Sequence, residues 1–190
     1  MKNRLLLLIL PILLTSIAMV MTGVNVGEKA PVFKAVDSQG KEWSLKNHLG
    51  KNYVVLYFYP AAMTGGCTQQ ACSYRDNMNE FDKVNAKVVG ISGDQAEGLR
   101  LFKQEYNLNF DLLSDSDGAI AKMYGVPVND GGTVEKTIGG KNVSFIRDAT
   151  TARWTFVIDK KGTLIYKKAD VNAGQDSQEV IAAIKKHMEK

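Results

Sequence analysis

Residues 53–59 read YVVLYFY, seven aliphatic or aromatic side chains without a charge or a small polar residue among them. A strand with one wet face alternates apolar and polar residues. This run is apolar on both faces, so it belongs in the centre of a sheet that is covered on both sides. Pro60 follows and ends it, because proline has no N–H to give to a ladder.

The flanking sequence supplies the rest of such a sheet and its covers. Lys87–Ser92 (KVVGIS) is a second buried strand and Phe110–Leu113 a short third one. Trp154–Asp159 and Thr163–Lys167 form a hairpin across Lys160-Lys161-Gly162, and Phe33–Val36 and Glu42–Leu45 form another across Ser38-Gln39-Gly40. Helices are predicted over Cys67–Lys83, Gln95–Tyr106, Asp117–Tyr124 and Ser177–Lys190, the last with Val180, Ile181, Ile184 and Met188 at helical spacing. Residues 128–152, rich in Gly, Asn, Asp and Thr, read as a long surface loop with at most a short strand at Val143–Ile146. This order predicts one α/β domain over residues 24–190: a central mixed sheet with helices on both faces and an N-terminal hairpin, compatible with a thioredoxin-like fold.

Residues 1–23 are of another kind. Lys2 and Arg4 precede an uncharged, Leu- and Ile-rich stretch from Leu5 to Gly23, the pattern of a secretory signal, and Ser16-Ile17-Ala18 offers a cleavage site before Met19. The alternative is an N-terminal membrane anchor, since the stretch just suffices to cross a bilayer. Either way the domain is expected to work outside the cytoplasm, in the periplasm, where disulfides persist. Without Lys2 and Arg4, 22 basic and 20 acidic residues remain, with no dense basic run. Nucleic acid is therefore not an expected partner.

A domain of this length buries enough surface to fold without a staple, so its two cysteines need a chemical reason. Cys67 stands where the loop after the central strand enters a helix, at the carboxyl end of a strand, where open α/β sheets build their sites. The unpaired N–H groups of a first helical turn favour an anion there, and a thiolate is one. A plain buried cysteine is the competing reading. Cys72 lies five residues on. On a regular helix the two are separated by about 7.5 Å of rise and about 140° of rotation, hence by roughly 8–9 Å between Cα atoms, which is beyond disulfide reach unless the first turn unwinds. The spacing is not that of a C-x-x-C oxidoreductase. With only two histidines, His48 and His187, both far from this motif in sequence, a His-based triad or metal site is not expected.

The run PAAMTGGC followed by TQQAC resembles the peroxiredoxin signature P-x-x-x-T-x-x-C with a second cysteine in C-x4-C spacing, as in the Q-type, or bacterioferritin-comigratory, subfamily. YVVLYFYP, SYRDNMNEF, VVGIS and RWTFVID extend the likeness from about Val26 to the C-terminus. Gly65 departs from it, standing where the subfamily usually has proline, and residues 128–152 form a longer segment than usual.

The resemblance implies a thiol-dependent peroxidase. Cys67 matches the peroxidatic cysteine, Thr64 the threonine that binds peroxide, Pro60 the proline that shields the pocket, and Arg153 the arginine that stabilises the thiolate. Arg147 is the residue an alignment slip would substitute for Arg153. Cys72 matches the resolving cysteine, which implies an intramolecular Cys67–Cys72 disulfide. The implied partners are hydroperoxides and a thioredoxin-like or other dithiol reductant, with no metal or organic cofactor, in a monomer or weak dimer. The rival function is an exported thioredoxin-like dithiol oxidoreductase, which would exchange disulfides with proteins and not consume peroxide.

Overall fold

The computed structural model describes residues 23–189, so the leader read over residues 1–23 lies outside the described residues but for Gly23. The central run is strand β3, Tyr53–Phe58, and every residue of it is buried. The other strands of its sheet are β1 (Lys34–Asp37), β2 (Glu42–Ser44), β4 (Ala86–Ser92), β5 (Asp111–Ser114), β8 (Trp154–Ile158) and β9 (Leu164–Lys168), in the order β2-β1-β5-β4-β3-β8-β9. Strands β3, β4 and β5 run parallel, and the remaining pairs are antiparallel. The sheet is therefore mixed, and the N-terminal hairpin extends it through Val36 and Asp37, which face Ser114 and Leu113.

The two faces of β3 lead into two cores. Tyr53, Val55, Tyr57 and Tyr59 join residues of α1 (Gly65–Asp76), α2 (Met78–Lys83), α3 (Ala96–Glu105) and α5 (Asp176–Met188). Val54, Leu56 and Phe58 join α4 (Ala119–Met123) and the N-terminal segment through Ile120, Ala121, Phe33 and Trp43. Helices thus lie on both faces, as the unbroken apolar run requires. No helix among the described residues is long and apolar enough to cross a membrane.

Most element ends differ from the sequence expectation by a residue or two, α1 starting at Gly65 and not at Cys67, and three differences have a clear physical cause. The helix predicted over Cys67–Lys83 is two helices, because the Asn77 amide donates to the Ser73 carbonyl at 2.8 Å and competes with the backbone for it. The helix predicted from Asp117 starts only at Ala119. Gly118 has φ +67°, and the Asp115 carboxylate, from before that turn, accepts the N–H groups of Ile120 and Ala121 at 2.9 and 2.8 Å. The largest difference concerns residues 128–152, which are a regular β-hairpin and not a loop.

That hairpin pairs β6 (Val128–Ile138) with β7 (Lys141–Thr151) from Val128↔Thr151 to Ile138↔Lys141. Gly139 and Gly140 close it with φ of +55° and +78°, the left-handed pair of a two-residue turn matching strand twist. Phe145 is fully buried against Gly98 of α3, and the hairpin is tied to the end of β4 by Gln95 N–H to Ile146 C=O and Asp148 N–H to Gly93 C=O. A Cβ on Gly93 would lie 2.0 Å from the Ala149 carbonyl oxygen. Gly93→Ala therefore forces backbone apart, and a loss of about 1–3 kcal/mol is expected, read as a lower urea midpoint at unchanged slope.

Candidate active site

Strand β3 delivers the chain to the carboxyl edge of the sheet, where Tyr59 still donates its N–H to Ile91 C=O at 3.1 Å. Pro60 stops the ladder, and Ala61, Ala62 and Met63 turn inward and are buried. The turn needs Met63 at φ +62°, an uncommon conformation for a residue with a Cβ. A second strand holds this turn in place. Asp94, fully buried just past β4, accepts the N–H of Ala62 and the hydroxyl of Ser92, both at 2.8 Å. Burial pushes the Asp94 carboxyl up from its ordinary range, against those donors and the charge of Arg147.

Thr64 is the residue before the helix, in extended conformation, and its hydroxyl donates to Ala61 C=O at 2.8 Å and does not cap the helix. The first helical bond is Thr68 N–H to Thr64 C=O, so the N–H groups of Gly65, Gly66 and Cys67 lie outside the ladder. Cys67 is the third helical residue, and its side chain is buried in the core on that face, in one cluster with Tyr57, Ala71 and Tyr74.

The cation comes from the far side of β3. Trp154, the first residue of β8, is paired with Phe58, the last of β3, so the preceding Arg153 arrives beside the loop. Thr151 fixes that approach by donating its hydroxyl to Tyr59 C=O at 3.1 Å. Arg153 Nη2 reaches Cys67 Sγ at 3.3 Å, and Nη1 donates to Gln70 Oε1 at 2.5 Å. A Cβ on Gly66 would be 3.3 Å from Nη2, so the glycine leaves the guanidinium its room. Arg147 is elsewhere: its Nε donates to Thr150 Oγ1 at 3.0 Å, and it stands on β7 opposite Gly132, near Asp94.

Cys72 is half-buried on the same helix, and both thiols are free. The structure thus brings Thr64, Cys67 and Arg153 to one helical start, sets Pro60 at the head of the loop, and leaves Cys72 more than a turn away. His48 stacks on Trp43, and His187 meets the Tyr53 hydroxyl at 3.1 Å. No group of histidine, cysteine or carboxylate residues that could hold a metal occurs among the described residues.

Sequence reasoning missed Gln70 and Asp176, besides the Asp94 that holds the loop. Gln70 lies one turn after Cys67 and so on its face of the helix, a signal available from spacing alone. Its Nε2 donates to Asp176 Oδ2 at 2.7 Å, and the same oxygen accepts the hydroxyls of Tyr74 at 2.7 Å and Thr155 at 2.8 Å. Asp176 is fully buried, and burial pushes its carboxyl up despite these three donors. Only the docking of α5 onto α1 brings it here, and no local pattern announces that contact.

Known proteins share this arrangement of chain. The AhpC/TSA family matches residues 26–167. A chloroplastic peroxiredoxin Q of Populus jackii is 43% identical over 145 residues, covering 75% of this chain. The chain spans 60% of that relative's length. The crystal structure of peroxidoxin BcpB from Mycobacterium tuberculosis superposes with a TM-score of 0.71 at 31% identity, over 85% of this chain and 96% of that one. A bacterioferritin comigratory protein of Xanthomonas campestris, solved in work on its alkyl peroxide reduction, superposes with a TM-score of 0.66 at 30% identity, over 82% and 91%. Sequence and backbone likeness point to the same kind of protein, and the family match takes in the central strand, the cysteine-bearing helix and Arg153; the chain belongs to the AhpC/TSA family, with the peroxiredoxin Q and bacterioferritin comigratory proteins.

Proposed function

We propose that the chain is a thiol peroxidase that reduces hydrogen peroxide and organic hydroperoxides at Cys67. The observation that carries this reading is the Arg153 guanidinium 3.3 Å from a buried sulfur in the first turn of a helix. The thiolate attacks one peroxide oxygen, the O–O bond breaks, and the leaving oxygen takes a proton as water or alcohol while Cys67 becomes sulfenic acid. Cys72 then attacks the sulfenic sulfur, expelling water and forming a disulfide. A dithiol, thioredoxin-like or other, supplies the two electrons that restore both thiols.

Ionisation alone is too small a lever. Full conversion of an ordinary thiol to thiolate at pH 7 raises the reactive fraction roughly 30-fold, whereas enzymes typically supply about a millionfold or more. The remainder is assigned to donors aimed at the O–O bond, Arg153 and the free N–H groups of the first turn, with Thr64 Oγ1, whose own proton goes to Ala61 C=O, placed to accept from the peroxide O–H and Pro60 keeping water out. The alkyl peroxide reduction of the Xanthomonas campestris relative supports hydroperoxides as the substrate class. The basic-then-apolar leader supports a place outside the cytoplasm, in the periplasm, for a monomer or weak dimer whose cysteine pair is complete within one chain.

The test is stopped-flow mixing of the reduced protein, residues 24–190, with hydrogen peroxide, followed by mass measurement of the product. One equivalent should be consumed in the first turnover, leaving a mass lower by two hydrogens. No reaction with peroxide, together with disulfide exchange on a protein substrate, would overturn the reading. Arg153→Met keeps the bulk and removes the cation, and is expected to slow the first oxidation by about 10²-fold or more.

A further inference from the structure

We propose that Asp176 is a positioning residue for Arg153, acting through the Gln70 side chain; the proposal rests on the peroxidase reading of the same site. A guanidinium offers only donors, so the Gln70 group that meets Arg153 must be its carbonyl oxygen, as Oε1 does at 2.5 Å. The amide nitrogen must then face the opposite way and needs an acceptor. Asp176 Oδ2 is that acceptor at 2.7 Å. Were it missing, the amide would be free to rotate and present N–H groups to Arg153, which can accept none. Two bonds in series thus connect a buried carboxylate on α5 to the cation at Cys67.

Cost argues in the same direction. Asp176 is fully buried, Oδ2 takes three donors, and Oδ1 has no hydrogen-bond partner among the described residues. An apolar side chain would fill such a place with less desolvation, so a carboxylate there is expensive as a packing element. What it provides is a fixed acceptor. Gln70 is itself fully buried, so no bulk water competes to satisfy its amide. The Tyr74 and Thr155 hydroxyls hold the carboxylate from the helix α1 and strand β8 sides, on the two elements that flank Gln70 and Arg153.

The experiment is a double-mutant cycle in a Cys72→Ser background, where Cys67 is the sole thiol. Two rates are read: first oxidation of Cys67 by hydrogen peroxide, and its alkylation by iodoacetamide at pH 6, which reports the stabilised thiolate whether or not peroxide is the substrate. Asp176→Leu keeps bulk and removes the acceptor. It should lower both rates about tenfold, and Asp176→Asn, whose carbonyl can still accept from Gln70, should stay within about threefold of the parent. With Gln70→Met already in place, Asp176→Leu should change neither rate, because the path is already cut. Equal losses with and without Gln70→Met, no loss in the parent, or an Asn variant as slow as Leu would each overturn the proposal. If Asp176→Leu fails to fold, Asp176→Ala takes its place in the cycle with the same expectations. A parent that alkylates quickly but ignores peroxide would instead overturn the peroxidase reading, and the alkylation cycle would still decide the role of Asp176.

Discussion

Cys67→Ser abolishes peroxide consumption, by a factor of at least about 10³ in the first-turnover rate, while the far-UV spectrum and melting midpoint stay close to those of the parent. Oxygen replaces sulfur at nearly the same size, and the Arg153 Nη2 that now stands 3.3 Å from Sγ can donate to a hydroxyl in its place. Packing of the core cluster that Cys67 belongs to is therefore kept. What is lost is the anion. A serine hydroxyl is not appreciably ionised at neutral pH, and no histidine or other base of the described residues has been brought to it. Peroxide loss is followed directly by absorbance with a dithiol in excess. Peroxidase turnover within tenfold of the parent in this variant would mean that the chemistry resides elsewhere and that Cys67 is a buried structural thiol.

Much of this site is legible in the amino-acid sequence. The unbroken run at 53–59 placed a strand in the middle of a sheet, Pro60 ended it, and the loop with its cysteine had to emerge at the carboxyl edge. Those inferences depend on nearest neighbours along the chain. Asp94, Gln70 and Asp176 escaped for different reasons. Asp94 reaches Ala62 across the β3–β4 pair, and Asp176 reaches Gln70 across the α1–α5 packing, so both depend on tertiary docking. Gln70 is a helical neighbour of Cys67 by spacing, but only its two partners, Arg153 and Asp176, distinguish it from any other glutamine.

The hairpin at 128–151 differs from the expected loop for a local reason. Asn, Asp, Gly and Thr dominate β6, and the inward apolar residues are few and widely spaced: Val134 and Ile138 on β6, Val143, Phe145 and Ala149 on β7. The Gly139-Gly140 pair is the one hairpin signal in this stretch, and the polar composition around it hides it. The consequence reaches the active site, since the last residue of that hairpin, Thr151, holds Tyr59 C=O and leads directly into Arg153.

Oxidation is expected to form an intramolecular Cys67–Cys72 disulfide and to unwind the start of α1. Both thiols are free on one helix, and roughly 8–9 Å of Cα separation at that spacing must fall into the range of about 4.4–6.8 Å that a disulfide spans. The helix is weakest where it must yield. Gly65 and Gly66 are exposed, and the only side-chain atoms a Cβ on either would approach within 4 Å are those of Arg153. The other half is anchored: Tyr74 donates to Asp176, and the hydroxyls of Ser73 and Ser177 meet at 2.7 Å. Unwinding should therefore run from the loop up to about Tyr74 and stop. Hydrogen exchange should show faster amide exchange from Cys67 to about Tyr74 in the oxidised protein, with Asp76 and the α5 core unchanged. Cys72→Ser should complete its first turnover at the parent's rate and then stall, carrying one added oxygen on Cys67 by mass or crosslinked to a second chain. Its steady-state turnover should fall by about 10²-fold or more, because the sulfenic acid has no thiol within the chain to meet. Equal protection of α1 in both redox states, or only intermolecular disulfides in the oxidised parent, would show that Cys72 does not resolve Cys67 within the chain.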